Sequence, residues 1–354
     1  MFLMIGVITS FSANLSFIES IAKHDLWLTV LAGLGEAIIF VLIFTTLAKR
    51  FSGNSLIQIN DIIYGSYIGK GISLLYLFYF LLLLVLNIRT VGDFFVTAIM
   101  PETPMVVFII MIVFVCASAV RNGIEVISRC SFIVIVLAVI EILLTVILLI
   151  KDMKLTNFLP VFDLPLQEFI KASHMMAVIP FGETVVFLMI IAYVNKVKQV
   201  RKSAMLALIM GAIFLLLIVM RNTAVLGIAG PAQNYPSYQA VRVIDIRNII
   251  TRVGFLNIFA FIILMFLKIS VFYYATVLGT AQLLRMRTYL PLIIPIGAIA
   301  IYGSITAYEY SHEIIDFVEN IYPVLSLPFE VGIPLLSIVI AAIRGLPKQK
   351  EEIK

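Results

Sequence analysis

Residues 179–184 read Ile-Pro-Phe-Gly-Glu-Thr, and they interrupt an apolar run that extends over about 173–194. Pro180 removes a backbone donor, and Gly182 favours dihedrals that a helix does not use. The stretch therefore predicts a membrane helix in two halves. Free amides at the start of the second half would attract a carboxylate, and free carbonyls at the end of the first would take an ammonium or a cation. A proline alone signals a kink, but proline, glycine and an ionisable side chain at one depth point to a ligand site. Pro180, Phe181, Gly182 and Glu183 are the candidate residues. For Glu183 two roles fit, a proton carrier or a fixed acceptor for a ligand ammonium. A structural carboxyl paired with a nearby base is the plainer alternative.

The surrounding sequence makes the chain an all-α membrane protein. Of its 354 residues 62% are hydrophobic and 13% are charged, and its mean hydropathy is +1.12. Segments such as Met105–Val120, Ser131–Ile150 and Ala204–Met220 hold almost nothing polar. Each approaches the roughly 20 residues that span the hydrocarbon as a helix. Helix is forced there because no water satisfies open backbone groups. Hydropathy places spans near 2–22, 26–48, 70–98, 105–120, 131–150, 173–194, 204–228, 255–284, 289–309 and 320–343, about ten crossings in one polytopic domain over 1–354. Met1–Thr9 lacks a basic n-region and reads as the start of the first span rather than as a signal peptide.

Basic residues sort by loop. One set holds Lys49, Arg50, Lys70, Arg121, Arg129, the cluster at 196–202, Arg285, Arg287, Arg344 and the tail lysines. The opposite set holds Lys23, Lys151, Lys154, Lys171, Arg242, Arg247 and Arg252. The richer side includes the C-terminus, so the positive-inside rule puts both termini in the cytoplasm, as an even helix count requires. The segment 230–253 shows amphipathic spacing through Val241, Ile244, Ile249 and Ile250, which predicts short helices over the outer face.

In the first span Thr9, Ser10, Ser12 and Asn14 could line an opening at the depth of the 179–184 break, or simply bond back to their own helix. Spans one to five and six to ten read as two inverted halves, about 1–150 and 173–343, each opening on a broken helix. The third and eighth spans support this: each has about 30 residues and an internal base, Arg89 and Lys268. Lys268 could serve as a fixed charge in place of a coupling cation, or pair with Glu183 or Glu141 as scaffolding. Cys116 and Cys130 read as small apolar residues, and three histidines are too scattered for a metal cluster. No metal site or cofactor is expected. There is no nucleic-acid footprint, and no nucleophile–base set or phosphate loop that would suggest an enzyme.

Six short motifs occur in order along the chain: Ala22-Lys23-His24-Asp25-Leu26-Trp27, Pro101-Glu102-Thr103-Pro104, Asn157-Phe158-Leu159-Pro160, Pro180-Phe181-Gly182-Glu183, Arg221-Asn222-Thr223-Ala224-Val225-Leu226-Gly227 and Tyr235-Pro236-Ser237-Tyr238-Gln239-Ala240. As a series they resemble the spore-germination permease family, the B-type membrane subunits of germinant receptors. That family looks like a branch of the amino-acid–polyamine–cation permeases. The resemblance implies a five-plus-five inverted repeat with broken first and sixth helices, and a ligand between spans one, three, six and eight. It further implies a small nutrient ligand such as an amino acid, partner subunits of the A and C types, and the inner membrane of the spore. Family members usually carry a glycine near the unwound part of the first span, where this chain has Ile8-Thr9-Ser10. A proton-coupled amino-acid transporter is the alternative reading.

Overall fold

A computed structural model describes residues 1–13, 15–244, 254–309 and 311–347. Asn14, the part of the outer segment with Arg247, Ile249, Ile250 and Arg252, and the tail lysines lie outside the described residues. Those described form helices and connecting turns. In chain order the helices are α1 (Phe2–Thr9), α2 (Ser16–Ala22), α3 (Leu26–Arg50), α4 (Leu56–Tyr64), α5 (Ser66–Ala98), α6 (Met105–Arg121), α7 (Ile124–Leu149), α8 (Leu166–Met176), α9 (Val200–Leu226), α10 (Pro236–Arg242), α11 (Gly254–Leu283), α12 (Ile293–Thr306), α13 (Ser311–Asp316), α14 (Tyr322–Leu327) and α15 (Ile333–Ile343). Among the described residues, seven helical stretches are long and apolar enough to cross a membrane, and with three shorter apolar ones, Phe2–Ser12, Met105–Arg121 and Leu290–Thr306, they make ten candidate passes.

The first span is α1, a 3-10 turn over Ser10–Ala13, and α2. The sixth is α8 followed by a π-helical turn, Ala177–Phe181, and a 3-10 stretch, Gly182–Met189. The two breaks touch each other at the centre of the bundle. Around them pack α5 and α11, of 33 and 30 residues, which also contact each other. A helix of 33 residues measures roughly 50 Å, well beyond the roughly 30 Å hydrocarbon, so these two cross at a tilt. Short helices precede them in matching places: α4 before α5 and α10 before α11, at opposite ends of the bundle. This is a five-plus-five inverted repeat with broken first and sixth helices.

Glycines set two of the corners. Gly65, at φ 83°, turns the chain from α4 into α5, and Gly123, at φ 86°, turns it from α6 into α7. Ser55 and Gln58 form a capping box that starts α4. At one end of the bundle, Arg50 donates to the Leu346 and Ala341 carbonyls at 2.7 Å each, and Arg344 donates to Ile63 at 2.7 Å.

Two features depart from the sequence expectation. The break in the sixth span is a change of helix type rather than an open unwound stretch. Gly182 itself has helical dihedrals, φ −68° and ψ −34°, so its conformational freedom is not what the position requires. The Glu330 carboxyl lies against it, and a Cβ there would have to push that group aside. The second departure is in the tenth span, which is also interrupted, by π-helical turns at Phe317–Ile321 and Pro328–Gly332. Pro323, Pro328 and Pro334 each withhold an amide from the helical ladder, and π-turns commonly mark functional positions.

Candidate functional site

A cavity opens beside the paired breaks. Ser10, Phe11 and Phe17 line it from the first span, and Leu83, Leu86, Asn87 and Thr90 from α5. Ile179 and Glu183 come from the sixth span, Met265 and Lys268 from α11, and Ile314, Val318 and Tyr322 from the tenth. Its walls are mostly apolar and its polar groups few, the usual composition of a small-molecule site.

Glu183 and Lys268 dominate its electrostatics. Lys268 Nζ lies 2.7 Å from Glu183 Oε2, and both side chains are buried. The lysine meets the carboxyl that the sequence offered as one of its two partners. Each charge is expensive to bury alone, so the pair holds the sixth span against the eighth. Of the first-span candidates, Ser10 lines this cavity, with its hydroxyl donating to the Val7 carbonyl at 2.7 Å. Thr9 bonds back to Ile5 at 2.9 Å, and Thr9 and Ser12 border a different cavity. Pro180, Phe181 and Gly182 shape the break without reaching the cavity wall; Phe181 is fully buried in packing.

That second cavity lies between α1, α7, α9 and α11. Arg221 and Glu141 face each other there at 3.9 Å, and Asn257 donates to Glu141 at 3.4 Å. Arg221 also donates to Thr145 at 2.8 Å and to Asn222 Oδ1 at 3.0 Å. Asn222 donates to Ser237 at 3.0 Å, and the Ser237 hydroxyl donates to the Ser12 carbonyl at 2.9 Å. One polar chain thus fastens α9 and α10 to the break in the first span.

Arg89 stands apart from both cavities' charges. Its Nε donates to Asp93 at 3.0 Å, and Nη1 donates to the carbonyls of Ser304 and Ile305 at 3.1 Å each. The guanidinium also sits 4.2 Å from the centre of the Tyr308 ring, whose hydroxyl donates to Asp93 at 2.8 Å. It closes the third span onto the end of α12.

Several motifs meet at the end of the bundle opposite Arg50 and Arg344. Asp25 is buried and accepts backbone amides from Phe162, Asp163 and Leu164 at 3.0, 3.0 and 3.4 Å. Asn157 donates to the Ala224 carbonyl at 2.8 Å, beside Gly227, whose φ of 53° and lack of a side chain let the two segments close. Distant pieces of sequence are therefore joined by side-chain to backbone bonds.

Asn87, Thr90 and Tyr322 were not among the candidates. Asn87 and Thr90 form a polar pair inside an apolar span, and Tyr322 precedes Pro323 in the broken tenth span. Both signals are legible afterwards, but neither stands out from ordinary helix chemistry.

Comparison with known proteins agrees with this architecture. The model of the family described as Spore germination protein matches residues 1–311. Spore germination protein KB of Bacillus subtilis (strain 168) is 26% identical over 359 residues, covering 99% of this chain and 96% of that protein. Spore germination protein YndE of the same organism is 20% identical over 274 residues, covering 76% and 74%. Among solved structures, Mhp1, a nucleobase-cation-symport-1 family transporter, in a closed conformation with bromovinylhydantoin bound, superposes with a TM-score of 0.52 at 12% identity over 97% of this chain and 92% of that one. Its inward-facing conformation gives 0.53 at 13% identity, over 97% and 77%. The fold is that of a transporter, and the chain, an integral membrane protein, belongs to the spore germination protein family.

Proposed function

We propose that this chain is the membrane subunit of a spore germinant receptor, which binds a small nutrient, an amino acid, in the cavity beside Glu183 and Lys268. The observation that carries the reading is the buried Lys268–Glu183 pair in the wall of a cavity between broken helices. An amino acid brings both an ammonium and a carboxylate, and such a pair offers a partner to each. Occupancy would favour one arrangement of the broken spans and so pass a signal onward. Spore germination protein KB supports the biological setting. On this reading the chain lies in the inner membrane of the spore with both termini cytoplasmic. It works with A-type and C-type receptor subunits, and its inverted halves divide as about 1–150 and 173–343.

The test is binding of the common amino acids to the purified chain, in wild type and Glu183→Gln. Binding by wild type that weakens at least tenfold in the variant supports the site. No binding by wild type to any of them removes the amino-acid reading. The transporter fold favours one rival, a proton-coupled amino-acid transporter. Robust uptake of labelled amino acid into proteoliposomes, driven by a pH gradient, would establish that rival over a receptor that only senses.

A further inference from the structure

Glu330 lies in the π-helical turn Pro328–Gly332 of the tenth span, with no solvent exposure. Its Oε1 accepts from the Tyr79 hydroxyl at 2.7 Å. Its Oε2 has no hydrogen-bond partner among the described residues, and the carboxyl lies against the Cα of Gly182. Among the described residues it forms no ion pair. The titratable groups that face it are Glu36 from α3, Tyr76 and Tyr79 from α5, Glu183 from the sixth span and Tyr322 from its own. The nearest of these with a base beside them are already served: Glu36 meets His174 at 2.8 Å, and Glu183 meets Lys268. Lys268 balances Glu183, so an ionised Glu330 would be a buried charge without a counter-charge, and charge balance favours one proton on the two carboxyls.

A path connects the two. The Tyr79 and Tyr322 hydroxyls are 3.1 Å apart, and Tyr322 and Glu183 both line the central cavity. Tyr79 is held in place by stacking on Phe329, at 4.5 Å between ring centres with planes 3° apart. Each hydroxyl can donate and accept at once. We propose that Glu330 is a proton-binding site, wired to the central cavity by the Tyr322 and Tyr79 hydroxyls.

Transfer along this chain balances. A protonated Glu183 gives its O–H proton to the Tyr322 oxygen, Tyr322 passes its own to the Tyr79 oxygen, and Tyr79 passes its own to Glu330 Oε1. One O–H bond is lost at Glu183 and one is gained at Glu330. Both tyrosines end neutral, and Glu183 is left ionised against Lys268. A carboxyl that only anchored Tyr79 would need neither an oxygen without a partner nor a glycine opposite to admit it.

Infrared spectra of the purified full chain in lipid nanodiscs, followed on exchange from H2O into D2O, read this proton with no ligand present. A buried carboxylic-acid band is expected in wild type and absent in Glu330→Gln. In Tyr79→Phe and Tyr322→Phe the band should persist while its deuteration slows at least tenfold. Where Glu330→Gln does not fold, Glu330→Asp keeps the acid and should shift the band. A band that neither Glu330 substitution alters overturns the site, and a deuteration rate unchanged in both tyrosine variants overturns the wire.

Discussion

Lys268 Nζ and Glu183 Oε2 stand 2.7 Å apart, joining the eighth span to the sixth in the wall of the central cavity. The two residues are buried and come from different spans. Either one alone is a charge in a place that solvates it poorly.

Lys268→Met should therefore destabilise the protein by about 3–5 kcal/mol, because Glu183 is left without its counter-charge. The double variant Lys268→Met/Glu183→Gln should recover much of that loss. Thermal unfolding in detergent, read as a double-mutant cycle, gives the coupling directly. Equal losses in single and double variants would mean that the pair contributes packing alone.

Gly182→Ala is expected to lower stability by about 1–3 kcal/mol through overpacking against the Glu330 carboxyl. Shortening the opposing side chain, in Gly182→Ala/Glu330→Asp, should restore part of the loss. If Gly182→Ala proves neutral, the close approach of the tenth span to the break is not as tight as described.

Filling the two cavities separates their roles. Leu86→Trp intrudes on the central cavity and should abolish amino-acid binding, as measured by calorimetry on the purified chain. Ala138→Leu narrows the second cavity, and amino-acid binding by this variant should remain within about twofold of wild type, well under the tenfold that 1.4 kcal/mol represents. The opposite pattern would move the ligand to the Glu141–Arg221 side.

Arg89→Lys is not a conservative change. Lysine reaches neither both carbonyls of Ser304 and Ile305 nor the face of Tyr308 while holding Asp93. The expected cost is about 1–3 kcal/mol of stability from buried acceptors left unpaired. Amino-acid binding should survive where the protein folds.

Asp25→Ala frees three backbone amides at Phe162, Asp163 and Leu164 and should cost about 2–4 kcal/mol. Faster proteolysis within 155–165 than in wild type is the accompanying sign. An unchanged cleavage pattern would show that this loop is held by other contacts.

How much of this was legible beforehand depends on distance along the chain. The ten passes, the all-α class and the break at Pro180–Glu183 follow from local chemistry. An apolar run of bilayer length must be helix, and a proline with a glycine beside it must disturb that helix. The paired long spans, with Arg89 and Lys268 inside them, also pointed correctly to an inverted repeat. The partner of Lys268 was narrowed to two carboxyls and could be narrowed no further, because sequence spacing says nothing about rotation between helices.

What the tertiary structure decided was which groups meet. Thr9 and Ser12 were grouped with Ser10, but Thr9 at the end of α1 and Ser12 in the 3-10 turn border a different cavity. Gly182 was read as a dihedral requirement and is instead a clearance for Glu330, a residue 148 positions later in the chain. Asn87 and Tyr322 became part of a cavity wall because tilted helices bring them there. The Ile179-Pro180-Phe181-Gly182-Glu183-Thr184 stretch fixed by itself that the sixth helix is interrupted, since missing donors and absent side chains are properties of single residues. Only packing among ten helices could settle what the interruption faces: a lysine from the eighth span on one side, and a buried carboxyl from the tenth on the other.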